Sequence, residues 1–258
     1  MTDLTNMPII RPAGLCGLLV TFGDSLTEPA NRAALAYAAA VVRSGIDGIE
    51  ECAPSLVSVF VRFDPLHLSH DSLTAALRTL LDAQDWYAAP MPSGRRFIRV
   101  PTVYGGDLAP QLGEAADAAG LTSQEAVRSL AEARVRVQTI GFAPGQPYLG
   151  LLPPEWDIPR QTNLTKAVPE GALVVAIRQL VLFSVSNPTG WRHVGQTALK
   201  LFRPDSDTPF FLRPGDQVQF VPVDPGVLER FQGDPDGGAD NERGYRGEGG
   251  SQDHSGDP

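Results

Sequence analysis

The sequence predicts an α+β fold in two units followed by an acidic tail, and three observations predict it. The first third reads strand, helix, strand, helix. A stretch that cannot continue either element, Ala88-Ala89-Pro90-Met91-Pro92-Ser93-Gly94, then breaks the pattern and reads as a linker. Beyond Arg134 the chain turns to many short apolar segments separated by proline- and aspartate-rich turns, the texture of a barrel or sandwich.

The elements follow in order. Leu15 to Phe22 is a short apolar strand, and Gly23-Asp24-Ser25 behind it is a turn that also offers a helix cap. Ala30 to Arg43 is alanine-rich with apolar residues at helical intervals. Leu56 to Phe63 alternates Val57, Val59 and Val61 against Ser58, Phe60 and Arg62, a strand. Ser72 to Leu81 resumes a helical pattern opened by Asp71 or Ser72. With further extended sequence near Ile98 to Val103, this makes a small α+β sandwich of helices on one sheet, ending between Trp86 and Arg95. The second unit begins around Arg96. Leu112 to Ala119 and Ser123 to Glu132 are two short helices, the second with Thr122 or Ser123 and Glu125 or Glu132 placed among good helix formers. Val135, Val137 and Thr139 then face one way and Arg136 and Gln138 the other, a strand. Ala172 to Val185 is nearly continuous apolar sequence, two buried strands or one bent one. Ala198 to Phe202 and Gln217 to Val223 are further strands, set off by the turns Arg203-Pro204-Asp205 and Arg213-Pro214-Gly215-Asp216.

Composition excludes several functions. Of 258 residues, 42% are hydrophobic and 20% charged, a globular balance, and no apolar run reaches the ~20 residues of a membrane span. The N-terminus lacks a signal-peptide pattern, so the expected address is cytoplasmic and no membrane partner is expected. Cys16 and Cys52 have no CxxC or Cys/His spacing and read as buried thiols. The net charge of -9, without clustered lysine and arginine, argues against a nucleic-acid partner. From Gly233 onward seven acidic residues stand against Arg243 and Arg246 with almost no large apolar side chain, so residues 226–258 read as a disordered acidic tail.

The stretch with most chemical content is Gly141-Phe142-Ala143-Pro144-Gly145-Gln146-Pro147-Tyr148-Leu149-Gly150, which packs three glycines, two prolines and two large aromatics behind a strand. Glycine opens backbone angles and lets another molecule approach the main chain, while proline fixes φ. The result is a rigid bend with Phe142 and Tyr148 beside exposed backbone donors, or else a tight turn whose aromatics are core. Elsewhere the signals are sparse. His67 and His70 lie three apart with no cluster to complete a metal set, and His193 follows Trp191 as either a site or a structural histidine. No phosphate loop and no GxSxG nucleophile elbow occurs, so no cofactor is bound by a recognisable motif.

The ordered succession of Gly141-Phe142-Ala143-Pro144-Gly145, Tyr148-Leu149-Gly150-Leu151-Leu152-Pro153, Pro159-Arg160, Val168-Pro169, Pro188-Thr189-Gly190-Trp191, Gly195-Gln196-Thr197, Leu201-Phe202 and Pro214 to Pro222 resembles one family over residues 15 to 223. That family is the B subunit of 5-oxoprolinase, also called allophanate hydrolase subunit 1, with the KipI kinase inhibitor and one half of the urea carboxylase carboxyltransferase domain among its members. The resemblance implies a ferredoxin-like α/β domain over 12–92 and a cyclophilin-like β-barrel domain over 93–225. It implies a role within an ATP-dependent amidohydrolase complex that opens a cyclic amide such as 5-oxoproline. ATP is then a co-substrate of the complex. The implied partners are a homologous second subunit, of the 5-oxoprolinase C type or the allophanate hydrolase subunit 2 type, and a third of the 5-oxoprolinase A type. The alternatives are the carboxyltransferase half of a urea carboxylase or allophanate hydrolase-type system, and a noncatalytic binding module like KipI.

The chain departs from the family pattern at several places. Gln146 stands where a second phenylalanine is usual. The usual second Pro-Arg pair falls at Leu164-Thr165 and the next basic position at Ala167, leaving Arg160 and Lys166 as the cations there. Ile177, Val181 and Thr189 occupy usual glycine positions, removing easy access to positive φ, and a usual histidine falls at Leu130. The expected site comprises Gly141, Phe142, Pro144, Gly145, Gln146, Tyr148, Leu149, Arg160, Lys166, Gln179, Asn187, Gly190 and Trp191, with no nucleophile or base identified.

Overall fold

The computed structural model describes residues 7–242. The first unit is an antiparallel sheet of β1 (Ile9–Pro12), β2 (Gly17–Thr21), β3 (Ile49–Ser55) and β4 (Ser58–Phe63) in the order β1-β2-β4-β3. Leu18, Val20, Val59 and Val61 line one face, because Leu18 pairs with Val61 and Val20 with Val59. On that face α1 (Glu28–Ser44) and α2 (His70–Asp82) bury Ala33, Tyr37, Leu73 and Leu77. The cap of α1 is Thr27, whose Oγ1 accepts from the Ala30 amide at 3.4 Å, and not the Gly23-Asp24-Ser25 turn. Likewise Ser69, not Asp71 or Ser72, caps α2. In both cases the cap is the last residue with extended backbone, where a side-chain oxygen can reach the free amides of the first turn.

β1 and β3 were not anticipated, and both are edge strands. Edges tolerate what central strands do not: Pro12 ends β1, and β3 carries Pro54 with Glu50 and Glu51, both paired to Arg62 on β4.

The second unit comprises β5 (Phe97–Tyr104), α3 (Leu112–Ala119), α4 (Ser123–Glu132), β6 (Val135–Ile140), β7 (Pro147–Gly150), β8 (Thr165–Val168), β9 (Ala172–Ala176), β10 (Gln179–Leu182), β11 (Asn187–Thr189), β12 (Arg192–Gln196), β13 (Gln217–Pro222), α5 (Pro225–Arg230) and β14 (Asp240–Glu242). Among the described residues, seven strands form a ring in the order β12-β9-β10-β7-β6-β13-β5, closed where β12 pairs with β5. The extended sequence near Ile98 to Val103 is therefore a barrel strand. The helix α4 opens with a complete capping box, Thr122 and Glu125 each accepting from the other's backbone amide.

The run from Ala172 to Val185 folds into the hairpin β9–β10, and its continuous hydrophobicity has a structural reason. Leu173, Val175, Leu180 and Leu182 point into the barrel core with Leu149, Trp156 and Phe220. The alternate residues Ala172, Val174, Ala176 and Val181 form a second apolar layer on the opposite face with Phe183, Trp191 and Tyr148. A wall buried on both sides needs no polar alternation. The separate ribbon β8–β11 contributes Val168 to that layer.

Two expectations are corrected here. Residues 226–242 are not a disordered tail: α5 follows β13, and β14 pairs with Phe97 to Arg99 on β5. The composition misled because this segment is held by backbone rather than by large side chains. Pro235 O accepts from the Lys200 amide at 3.0 Å, and Gly237 sits so close to Ala198 and Leu199 that a Cβ there would lie 2.4 Å from the Leu199 nitrogen. Residues 243–258 lie outside the described residues. Nor is Ala198 to Phe202 a strand. It makes a single bridge, Phe202 to Phe210; the Lys200 amide donates to Pro235 O and the Leu201 carbonyl accepts from the Phe211 amide.

The two units meet along β6. The Leu56 amide donates to Gln138 O at 3.2 Å, Asn31 Nδ2 donates to Leu56 O at 2.6 Å, and the Ser55 and Thr139 hydroxyls are 3.0 Å apart. Asp216, buried at the start of β13, pairs with Arg96 and accepts from the Arg213 amide at 2.9 Å, pinning the incoming linker to the barrel.

Candidate functional site

The outer apolar layer is covered by the 141–146 turn, the 159–164 segment and the β8–β11 ribbon, and between them lies a cavity of about 300 Å³. The turn is built as its composition suggested. Gly145 has φ 73°, and a Cβ on it would lie 2.9 Å from Leu201 O, so both positive φ and close approach require glycine there. The Gly141 amide donates to Gln146 O and the Gln146 amide to Ala143 O. Phe142 also has positive φ, 71°, and is 72% exposed at the cavity mouth. A bulky residue held in that region marks local strain, and strain of this kind concentrates at functional sites.

Opposite the turn, Trp191 is 6% exposed, packs edge-on against Tyr148 with ring centroids 6.3 Å apart, and carries the Arg160 guanidinium over its ring at 5.2 Å. Among the described residues no carboxylate pairs with Arg160. Gln161 fixes this wall. Its amide donates to Gly190 O at 2.7 Å, its Nε2 to Trp191 O at 2.9 Å, and its Oε1 accepts from Gln111 Nε2 at 2.8 Å. The Trp191 amide donates to Thr189 Oγ1 at 3.1 Å.

Six of the anticipated residues line this cavity: Phe142, Gln146, Tyr148, Arg160, Gly190 and Trp191. Gly141, Pro144 and Gly145 shape the turn without reaching the cavity. Leu149 does not belong to the site; it is fully buried in the barrel core, because side chains alternate along β7 and Tyr148 takes the outer face. Gln179 is spent in a buried amide pair, donating to Gln138 Oε1 at 2.8 Å, in space that Gly150 leaves open. Lys166 and Asn187 lie on the ribbon away from the lining. Residues the sequence reading missed are Gln161, Leu164, Val181, Phe183, Pro188 and Thr189. The periodicity of the 172–185 run held a partial signal for Val181 and Phe183, since alternate apolar positions must face something.

The lost glycines did not unbend the chain. Ile177 and Arg178 keep positive φ, 44° and 59°, in the two-residue turn of β9–β10, while Val181 and Thr189 lie in strands. His193 is not in this cavity. It lines a separate one of about 550 Å³ beneath α5, with Leu108, Gln196 and Leu228. Burial holds its imidazole below the usual histidine range, against bonds to Gly195 and Gln196 that act the other way. Cys16 is exposed, contrary to the buried thiol expected, because the strand begins only at Gly17; Cys52 is half-buried, and burial pushes its thiol up to about 11. Among the described residues no cluster of histidine, cysteine or carboxylate could hold a metal, and no helix is long and apolar enough to cross a membrane.

Residues 8–212 match the family model described as carboxyltransferase domain, subdomain C and D. The chain belongs to this family. It is 30% identical over 221 residues to the B subunit of 5-oxoprolinase from Bacillus subtilis, a match covering 83% of this chain and 92% of the relative. To the corresponding 5-oxoprolinase B subunit of Escherichia coli O157:H7 it is 37% identical over 154 residues, 59% of this chain and 71% of the relative. The crystal structure of the protein TTHA0988 superposes with a TM-score of 0.67 at 29% identity. It covers 84% of this chain, which spans only 40% of that longer one. With these likenesses the chain is a divergent member of the 5-oxoprolinase B-subunit branch.

Proposed function

We propose that the chain is one subunit of an ATP-dependent, 5-oxoprolinase-type complex and that the Trp191 cavity binds the cyclic amide. The observation that carries this reading is the Arg160 guanidinium, held over the Trp191 ring at a small aromatic-walled cavity with no carboxylate opposite it among the described residues. Such a group takes an anion, and a cavity of that size takes a small ring rather than a chain of sugars or a nucleotide. 5-Oxoproline is an anionic five-membered lactam. Among the described residues no aspartate, glutamate, histidine, cysteine or lysine lines the cavity, and on this reading the chain binds and orients while proton transfer and ATP handling fall to its partners.

In the complex the γ-phosphoryl of ATP passes to the lactam oxygen, leaving ADP. Water adds to the activated carbon, and the C–N bond breaks with release of phosphate to give glutamate. The exposed Phe142 and Leu164 at the mouth offer an apolar rim for a homologous partner of the 5-oxoprolinase C type, with an A-type protein completing the assembly. On this reading the seven-stranded barrel is a cyclophilin-like domain. The first unit is a ferredoxin-like domain whose outer strand is β1, entering from the N-terminal side rather than following α2. The cytoplasm is the matching compartment. A wall without acid or base also fits a binding-only role of the KipI kind, and one assay separates the two. The full chain is combined with candidate second and third subunits, and ADP and glutamate formation from 5-oxoproline are followed. ATP-dependent ring opening that requires this chain, with kcat/KM about tenfold to a hundredfold lower for Arg160→Gln, is the expected result. Absence of turnover with every partner combination overturns the enzymatic reading.

A further inference from the structure

Where the two units meet lies a further cavity, of about 530 Å³, which shares no lining residue with the Trp191 cavity. Both units build it. Ala38, Val42 and Arg43 come from α1, Arg95 from the linker, and Arg213 and Gly215 from the turn that enters β13. That turn is held firmly: the Gly215 amide donates to Val137 O at 2.8 Å, and the Arg95 stem lies against Gly215 while its Nε donates to Pro92 O at 3.1 Å. The chain carries 30 acidic residues against 21 lysines and arginines, and Arg32, Arg62, Arg96, Arg136, Arg192 and Arg203 each pair with a carboxylate. Arg43 and Arg213 pair with none among the described residues, and both are exposed at this cavity. Asp216, the one carboxylate in the lining among the described residues, is spent: its Oδ1 accepts from the Arg96 amide and Nε at 3.3 Å each, and its Oδ2 from the Arg213 amide at 2.9 Å. Guanidiniums that face one concavity without a counter-ion repel each other, and a bound anion relieves the repulsion.

A carboxylate is satisfied by one guanidinium fork, whereas a phosphate has oxygens for two cations that approach from different elements. Beside the cations the wall is apolar: Val42 is 67% exposed, and Leu35, Ala38 and Pro54 continue the surface. Cationic edge and apolar wall together suit an organic phosphate, and the volume lies within the range of small-ligand sites. We propose that the junction cavity is a second ligand site, for a small organic phosphate whose phosphate oxygens bridge Arg43 of the first unit and Arg213 of the barrel while its apolar part lies on α1. Cys52 lines the cavity too, but burial pushes its thiol up to about 11, so no thiolate is at hand and the site binds without reacting. A ligand held by both units favours the folded, docked pair and so stabilises the junction. The site is independent of what the Trp191 cavity takes.

The test is calorimetric titration of the full chain, without partners and with divalent cations chelated, using ADP and inorganic pyrophosphate as probes. Both present two linked phosphates, and only ADP has a nucleoside to lay on α1. The wild-type chain should bind one ADP, at least fivefold more tightly than pyrophosphate. Arg43→Gln and Arg213→Gln should each weaken ADP about tenfold. Arg78→Gln removes another exposed cation, on α2, that pairs with no carboxylate among the described residues, and it should leave the affinity unchanged, as should Arg160→Gln at the Trp191 cavity. The two test substitutions lie in different units, so a folding defect in one leaves the other to decide. No binding of ADP, or binding that survives both substitutions, overturns the proposal. So does an equal loss in Arg78→Gln, which reports only diffuse charge, or a loss in Arg160→Gln, which moves the nucleotide to the other cavity. Pyrophosphate bound as tightly as ADP overturns the assignment to an organic phosphate.

Discussion

His193 shows how much one side chain's surroundings decide. Its position two residues after Trp191 offered either a site or a structural histidine, and further along β12 it lines the other cavity instead, where it is 5% exposed and its imidazole is held below its ordinary value of 6.5 by burial. In the unfolded chain the ring takes up a proton as pH falls through 6.5, while the folded protein resists. The unfolded state then binds more protons, so this contribution to stability is complete above 6.5 and is lost as pH falls toward the depressed folded value. Thermal unfolding followed from pH 7.5 to 5.0 should therefore show a steeper fall of Tm for the wild type than for His193→Gln. Parallel curves would show that His193 is not the group being titrated. Gln146 makes the complementary point: it reads as a single letter in a turn, and only the structure shows that its Oε1 is buried with no donor among the described residues.

At the scale of elements, legibility followed how local the determining interactions are. The helix α4 was readable with its cap narrowed to Thr122 or Ser123, because Thr122 and Glu125 satisfy each other within one turn. β4 was readable because Val59 and Val61 alternate against a solvent-facing set. The ribbon β8–β11 was not: each strand is short, and what defines it is pairing between Thr165 and Thr189, far apart in sequence. The cavity inherits that limit. Its aromatic turn was legible from glycine and proline, whereas Gln161 and Leu164 reach it from the 159–164 segment and Pro188 and Thr189 from the ribbon. The hairpin β9–β10 carries a cost of the same origin. Its turn places Ile177 at φ 44° because four bonds fix the bend: the Ile177 amide to Ile158 O, the Arg178 amide to Trp156 O, Arg178 Nε to Leu152 O, and the Leu152 amide to Arg178 O. A β-branched residue there is strained, and its side chain is 41% exposed, so little packing compensates. Ile177→Asn should raise stability by about 0.5–1 kcal/mol, seen as a higher urea midpoint at unchanged m-value. A lower midpoint would mean that the isoleucine side chain packs more usefully than its exposure implies.

For the whole molecule, the question is whether the α+β sheet is a passenger or part of the machine that holds the site. Its contact with the barrel runs through Asn31, 1% exposed on α1, which donates to Leu56 O in its own unit and to Gln138 O on β6, and accepts from Arg136 at 3.3 Å. Gln138 belongs to the strand beside β7, and its side chain takes up Gln179, so one residue links the first unit, the barrel wall and the strand that carries Tyr148. A buried amide serving three groups cannot be replaced by an apolar side chain without leaving them unsatisfied. Asn31→Leu should cost about 2–3 kcal/mol and, because the loss falls on the junction, should lower the unfolding temperature of the first unit more than that of the barrel. Calorimetry reads this directly. The wild type should unfold in one transition whose calorimetric and van't Hoff enthalpies agree, and the variant in two or in one broadened transition. Two transitions already present in the wild type, unmoved by Asn31→Leu, would show that the units are stable separately and that the barrel alone holds the cavity.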